Sequence, residues 1–372
     1  MSVVDPVTTP PLADLGWDPG WAAAFLPFDA AGWAPARVVA AHRDAWVVAT
    51  PAGDRSAVIA GRFRHEALGP GDLPAVGDWV AAAGLAGDGT TVVQAVLPRR
   101  TAFRRSTGDD GPTLAGEQVL AANVDVAFVV TGLDGDFNLR RLERYLAVAW
   151  SGGATPVVLL NKADLAPDAE GQRIAAEAVA PGVDVRPMSA LTGAGVAALA
   201  ADHLTRGRTA VVLGSSGVGK STLVNALLGS ERQRTGAVRE DDSRGRHTTT
   251  HRELLRMPGG ALLIDTPGIR SLGVAGASDG MDAAFADIAE LAAGCRFSDC
   301  RHETEPGCAV RAALADGTLA RERFASHRKL EREAAHVARA SDPLLRAEER
   351  RKWRTIHSAV SIQMKHKYGS DR

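Results

Sequence analysis

Cysteine is scarce in this 372-residue chain: three in all, Cys295, Cys300 and Cys308. An odd number crowded into one short stretch argues against a disulfide framework, so the cluster needs another explanation. A surplus of either charge is missing too. Lys and Arg number 43, Asp and Glu 44, and the formal net charge is −1. The global balance therefore advertises no polyanionic partner, and any basic surface must be local. No uninterrupted apolar run approaches the roughly 20 residues that span a bilayer. The N-terminus, MSVVDPVTTPPLADLGW, has no basic stretch ahead of an apolar core and is expected to be no signal peptide. What remains is a chain of ordinary globular composition, 45% hydrophobic and 23% charged, with room for two or three domains. A cytoplasmic location is the expectation.

Residues 1–35 are rich in Pro, Ala, Gly and Trp without a period, and read as a loosely ordered arm. From Ala36 the texture changes to short β-type runs, ARVVAAH, AWVVAT, SAVIAGR, DWVAAA and TVVQAVL, separated by the turn signals PAGD, PAVGD and AGDGT. Five strands at this spacing suggest a small β-barrel over 36–115; a small β-sandwich fits the periodicity equally well. The polar stretch after Pro98 reads as a linker or a barrel extension. Beyond it, strands are expected at Val124–Thr131, Val157–Leu160, Val183–Pro187, Thr209–Leu213 and Ala261–Ile264. Helices are expected at Asn138–Trp150, Asp168–Ala180, Val196–Leu204 and after Gly219. Such alternation predicts an α/β domain over 116–280 with a mostly parallel sheet covered on both faces. Residues 281–372 read as mainly helical around the cysteine cluster.

Two loops carry recognisable chemistry. Gly214-Ser215-Ser216-Gly217-Val218-Gly219-Lys220-Ser221, followed by Thr222, fits the phosphate-loop pattern G-x-x-x-x-G-K-[ST] without a mismatch. Its glycines let backbone N–H groups turn toward phosphate oxygens. Lys220 can reach the β- and γ-phosphates, the Ser221 hydroxyl can ligate Mg²⁺, and the following helix points its positive end at the phosphates. Asp265 opens DTPG after an apolar strand, 44 residues beyond Ser221. A carboxylate there suits Mg²⁺ through a water, and the Gly268 N–H suits the γ-phosphate. The second loop is Asn161-Lys162-Ala163-Asp164-Leu165. Guanine offers N1–H and an N2 amino group side by side, and Asp164 can accept both. Adenine would leave that carboxylate unpaired. Lys162 can lie along the base, and Asn161 can tie this loop to the phosphate loop. Ser189-Ala190-Leu191 follows Asn161 by 28 residues, where a backbone N–H can reach guanine O6.

The order of these loops is transposed: the base reader precedes the phosphate loop, the reverse of ordinary guanine-nucleotide domains. Circular permutation accounts for it, because a parallel sheet tolerates new termini and each loop stays at the carboxyl end of its strand. Between the phosphate loop and DTPG lies Gly245-Arg246-His247-Thr248-Thr249-Thr250, the place of a first switch. Thr249 or Thr250 is expected to complete the Mg²⁺ shell when the γ-phosphate is present. Ile269 stands where many GTPases orient water with glutamine. Either a partner supplies the missing group or another residue does, His247 being the local candidate; a merely solvated loop histidine is the plain alternative.

Cys295, Cys300, His302 and Cys308 offer three thiolates and an imidazole, a complete tetrahedral set for one structural zinc. Three reduced cysteines or an iron–sulfur site are the alternatives. From Leu319 to Arg372 there are 14 Lys and Arg against 7 Asp and Glu, including EERRKWRTIH. With the barrel and Arg99, Arg100, Arg104 and Arg105, this favours RNA over a merely solvated helix face.

The permuted order resembles the circularly permuted GTPases, and among them the ribosome small-subunit-dependent GTPase A family (RsgA, also YjeQ). The likeness covers residues 36 to about 360. It rests on GRFRHEA and PAVGDWV, VVTGLDGDFNLRRLERYL, GSSGVGKSTLVNAL, GRHTTTHREL, DTPGIRSLG and the cysteine cluster. It implies an OB-fold barrel, a permuted GTPase core and a zinc domain, GTP with Mg²⁺, catalysis involving His247 and Lys220, and late maturation of the small (30S) ribosomal subunit through its rRNA. A monomer with no membrane partner is expected. Two other readings remain: a P-loop kinase or ATPase, and an RNA-binding module that holds nucleotide only for stability.

Overall fold

The computed structural model describes residues 11–29, 31–42, 45–85, 89–107, 116–229, 252–265 and 278–341. Helix α1 (Pro19–Asp29) precedes β1 (Ala34–Ala41), β2 (Trp46–Thr50), β3 (Gly53–Ile59), α2 (Gly61–Glu66), β4 (Trp79–Ala83) and β5 (Thr91–Val96). β1 pairs with β2, β2 with β3, β3 with β5, β5 with β4, and β4 back with β1. The ring closes, so the five runs form a barrel and not a sandwich. Its interior is built mostly from small side chains, among them Ala36, Val38, Val48, Ala57, Val80, Ala82 and Val93, with Trp46 and Ile59 as the large exceptions, which suits the narrow bore of a five-stranded closure.

β1 serves two masters. Its first half, Ala34 to Arg37, pairs with Ala82 to Trp79 of β4 and closes the barrel. Its second half, Ala40 and Ala41, pairs with Glu253 and Arg252 of a strand from the next domain. The polar stretch after Pro98 is a hairpin, β6 (Ala102–Thr107) with β7 (Gly116–Ala122). Arg104 and Arg105 face Glu117 and Gln118 across it. Arg99 is internal: its guanidinium binds both Asp78 carboxylate oxygens, at 2.8 and 2.7 Å, and the Gly71 and Leu73 carbonyls. Arg100 makes a two-pronged pair with Asp18 and lies 4.1 Å from the Trp21 ring centroid. Those two arginines, expected among RNA contacts, are occupied by structural partners.

The second domain contributes β8 (Val126–Gly132), α3 (Leu139–Ser151), β9 (Thr155–Asn161), α4 (Ala169–Val179), β10 (Asp184–Pro187), α5 (Val196–His203), β11 (Thr209–Leu213), α6 (Lys220–Leu228), β12 (Arg252–Arg256) and β13 (Leu262–Asp265). The sheet order is β10-β9-β8-β11-β13-β12, continuing through β12 into β1 of the barrel. All neighbours from β10 to β13 are parallel; β12 alone runs antiparallel. β8 is buried at every position, as a central strand covered on both faces must be. The expected helices and strands are present with ends shifted by a residue or two. Asn138 and Asp168, expected as first helical residues, are N-caps whose side chains accept from Arg141 and Gly171 N–H. The pattern gave no sign of β12, whose RELLR is too short and too charged to read as a strand.

In the segment expected to be a loose arm, the described residues from 11 onward are packed. Trp21 and Phe25 are buried, and Trp17 meets Trp79 edge to face at 4.7 Å. The cluster has no sequence period because the aromatics come from an irregular turn, a helix and a strand. Beside it lies Arg37, 2% exposed. It donates to the Leu15, Gly77 and Asn123 carbonyls and to the Thr209 hydroxyl. Burial pulls its pKa down to about 10, which leaves it charged at neutral pH.

Helices α7 (Ser278–Ala284), α8 (Ala286–Ala293), α9 (Ala309–Asp316) and α10 (Arg321–Ser341) complete the fold. They share one apolar core with the flank of the sheet, through Phe285, Ile288, Val310 and Leu330. Arg323 of α10 donates to Glu143 of α3 at 3.0 Å and pairs with Asp287 of α8 at 2.6 Å.

Candidate functional site

Four parallel strands, β8, β9, β11 and β13, end on one edge of the sheet, and β10 ends beside them. Strand order reverses between β8 and β11, where α/β sheets open a crevice for ligands. The glycine-rich loop leaves β11 there. Gly214, Gly217 and Gly219 have φ of 147°, 82° and 94°, a backbone that L side chains rarely adopt. A Cβ on Gly219 would sit 2.3 Å from Asn161 Nδ2, and one on Gly214 2.4 Å from the Val130 carbonyl. Both positions therefore exclude a side chain by contact as well as by conformation. The loop runs into α6, anchored by buried Leu223, Val224, Leu227 and Leu228. Val218 is buried, while Ser216 and Gly217 face solvent and Ser221 and Thr222 are half-buried. The Lys220 ammonium lies against the Gly214 and Ser215 carbonyls of its own loop.

The transposed loop leaves β9 on the other side of β8. Asn161, 3% exposed, joins three segments. Its Nδ2 donates to the Val218 carbonyl at 2.8 Å, and its Oδ1 accepts from Ala190 N–H at 2.8 Å. One amide thus fixes the base-reading loop to the phosphate loop and to the Ser189-Ala190-Leu191 turn, as the sequence led one to expect for the first of these. Lys162 is in the left-handed region at φ 64°, which turns the chain so that Asp164 faces outward. Asp164 is exposed and has no partner among the described residues, so both carboxylate oxygens can accept from a ligand. Ser189 and Ala190 are buried; Leu165 and Leu191 stand on the rim, 64% and 79% exposed. Asp265 ends β13 on the same edge. His247, Thr249, Thr250 and Gly268 lie outside the described residues.

Contacts that the motifs did not announce come from the β8–α3 loop. Lys162 Nζ pairs with Asp134 at 2.5 Å. The Ser215 hydroxyl donates to Asp136 at 2.7 Å, and Arg141 reaches both Asp136 and Ser215. The available signal was positional: GLDGDFN follows the central strand, on the edge where every other loop carries chemistry.

Cys295, Cys300, His302 and Cys308 offer ligand atoms that all lie within 4.8 Å of one another. Cys295 and Cys308 sulfurs are 3.8 Å apart, and His302 Nδ1 lies 3.6 and 3.3 Å from them. Zinc–sulfur bonds of about 2.3 Å at tetrahedral angles put sulfurs about 3.8 Å apart, so the set fits that ion. A bound cation favours the thiolate forms of the three cysteines. Cys308 also caps α9 by accepting from Arg311 N–H.

Comparison with known proteins agrees with this geometry. A family model described as RsgA GTPase matches residues 96–275. The small ribosomal subunit biogenesis GTPase RsgA of Opitutus terrae is 52% identical over 356 residues, covering 93% of this chain and 96% of that one. The protein of the same name from Streptomyces coelicolor is 46% identical over 364 residues, covering 97% of each. Among solved structures, YjeQ from Thermotoga maritima superposes with a TM-score of 0.61 at 25% identity, over 82% of this chain and 99% of that one. YloQ, a circularly permuted GTPase, matches in fold with a TM-score of 0.56 at 22% identity, over 82% and 95%. With its base-reading loop ahead of its phosphate loop and an N-terminal barrel closed on itself, the chain belongs to the RsgA family of circularly permuted GTPases.

Proposed function

We propose that this protein hydrolyses GTP as a switch in late maturation of the small ribosomal subunit, binding its rRNA and turning over faster on the subunit. The observation that carries the guanine-nucleotide site is Asn161, one buried amide bonded to both transposed loops. In this reading Asp164 takes the guanine edge, Lys162 lies along the base, and the Ala190 and Leu191 backbone faces O6. Residues 214–222 wrap the phosphates, with Lys220 neutralising charge that develops on them. Ser221 holds Mg²⁺, Asp265 reaches it through water, Thr249 or Thr250 completes its shell, and Gly268 meets the γ-phosphate. Ile269 leaves water unoriented, and His247 or a group from the subunit supplies that role. The cysteine cluster holds one structural zinc, since all four ligands come from the protein.

The relatives' names supply the ribosomal setting. Support for rRNA comes from the barrel, from Arg104 and Arg105 on the hairpin, and from the basic C-terminal run, of which residues 342–372 lie outside the described residues. Cytoplasmic residence follows from that setting; no helix among the described residues is long and apolar enough to cross a membrane. The test is calorimetry with GDP and ATP on wild type and Asp164→Asn, with turnover measured with and without small subunits. GDP should bind tightly and ATP weakly. The variant should lose up to roughly a hundredfold in guanine preference, the upper range for a hydrogen-bonding group left unmatched. A preference for ATP, or turnover indifferent to subunits, overturns the reading.

A further inference from the structure

The β8–α3 loop sits where strand order reverses, between the two nucleotide loops. It carries two carboxylates, Asp134 and Asp136, and each turns to a different neighbour. Asp134 accepts from Lys162 Nζ of the base-reading loop at 2.5 Å. Burial pushes this carboxyl up, but the Lys162 ammonium and backbone N–H groups, Asp136's among them, together hold the group below the usual range. Asp136 accepts from Ser215 of the phosphate loop at 2.7 Å and, through its other oxygen, from Arg141 at 2.5 Å. Arg141 also donates to the Ser215 hydroxyl at 3.0 Å, closing a three-membered ring of contacts.

The loop is itself held at both ends. Leu133 N–H donates to the Asn161 carbonyl at 2.8 Å. At the other end Asn138 caps α3 through Arg141 N–H at 3.1 Å. A Cβ on Gly132 would stand 2.6 Å from Asp134 Oδ1, so the approach of that carboxylate depends on glycine at the strand end. These are fixed anchors on rigid elements, the arrangement that holds binding side chains to their productive geometry.

We propose that Asp134, Asp136 and Arg141 are positioning residues of the nucleotide site: Asp134 orients Lys162 against the base, while Asp136 and Arg141 set the outer wall of the phosphate loop through Ser215. The assignment rests on the guanine-nucleotide reading above. It divides the labour. Base and ribose are common to GDP and GTP, so an effect passing through Lys162 falls on both alike. Ser215 belongs to the loop around the terminal phosphates, so an effect passing through it distinguishes them.

The test is calorimetric titration of the full chain with GDP and with a non-hydrolysable GTP analogue, each in the presence of Mg²⁺. Asp134→Asn should weaken both ligands by the same factor, roughly tenfold for a charge-assisted contact. The same change in a Lys162→Ala background should have no further effect, because coupled residues are not additive. Asp136→Asn should alter the ratio of the two affinities by about threefold or more, and Arg141→Lys should recover part of that change where Arg141→Ala does not. Asparagine keeps the shape of the acid, and melting temperatures near wild type are expected. The assignment is overturned if Asp134→Asn stays within about twofold of wild type, if its effect adds in full to that of Lys162→Ala, or if the two acid variants give one pattern. Wild type that binds neither ligand overturns the site reading as well; wild type that binds both while the variants do nothing overturns this assignment alone.

Discussion

The two ends of the parallel sheet are both polar, and they use polarity in opposite ways. At the carboxyl ends of the strands, hydrogen bonds fix backbone and anchor residues but leave Asp164 exposed and without a partner among the described residues. At the amino ends, donors and acceptors are consumed internally. Arg37 satisfies three carbonyls and Thr209, and Asp125 accepts from Thr209 N–H at 2.7 Å. Asn123 in turn donates to Gly77 and accepts from Arg100 N–H. The first end is arranged for a ligand; at the second the Trp17 and Trp21 segment packs beside the network, along a cavity of about 380 Å³ that Arg37, Asn123 and Asp125 also line. Polar residues at a strand end therefore do not mark a site by themselves. What marks it is a residue whose hydrogen-bonding capacity the protein leaves unspent.

Substitutions should separate the two ends, beginning with the largest effect. Arg37→Met keeps much of the side-chain volume but strands four acceptors in the interior, so it should cost about 3–5 kcal/mol of stability. Urea unfolding measures that loss, and the protein that stays folded should bind GDP as wild type does. Asn161→Ala at the opposite end removes the tie between loops and leaves the Val218 carbonyl and Ala190 N–H unpaired. A penalty of about 2 kcal/mol is expected, read mainly as a roughly thirtyfold weaker GDP affinity. An equal effect of Arg37→Met on nucleotide affinity would erase the distinction between the ends. The smallest effect is at the surface of the amino end. Hydrogen bonds from Arg100 hold Asp18 down at about 2, against an ordinary value of 3.8. A depressed acid stabilises the fold above its ordinary value, so the contribution is present at neutral pH and is lost as pH falls from about 4 to about 2. Both side chains are nearly half exposed, so Asp18→Asn should cost under about 1 kcal/mol at pH 7. The difference from wild type should shrink as pH falls through about 2 and vanish only below it.

Legibility in the sequence follows the same division. The nucleotide site is written in contiguous motifs because backbone turns and a helix start make most of it, and those depend on neighbours in sequence. The barrel was readable as five runs, though only the β1–β4 pairing excludes a sandwich. The amino-end network was invisible, since Arg37 reaches partners as far off in the chain as Thr209, and nothing local distinguishes it from a solvated arginine. For the same reason Arg99 and Arg100 looked available for RNA when their partners are Asp78 and Asp18. The aromatic arm was misjudged because irregular packing leaves no period. Asp134 and Asp136 fell between: their position after a central strand was a clue, but their partners, Lys162 and Ser215, are contacts only the fold supplies.

The shared strand β1 has a consequence for how the molecule is made. Its barrel half can pair as soon as β4 leaves the ribosome, since domains form from the N-terminus onward during synthesis. The other half pairs with β2 along one edge, and its second edge then waits as a ready template until Arg252 and Glu253 arrive. In this chain order the two halves of the pocket are made far apart, and the helices around the cysteine cluster follow both. The nascent polypeptide carries its base reader early, yet cannot grip a triphosphate until translation has passed Asp265.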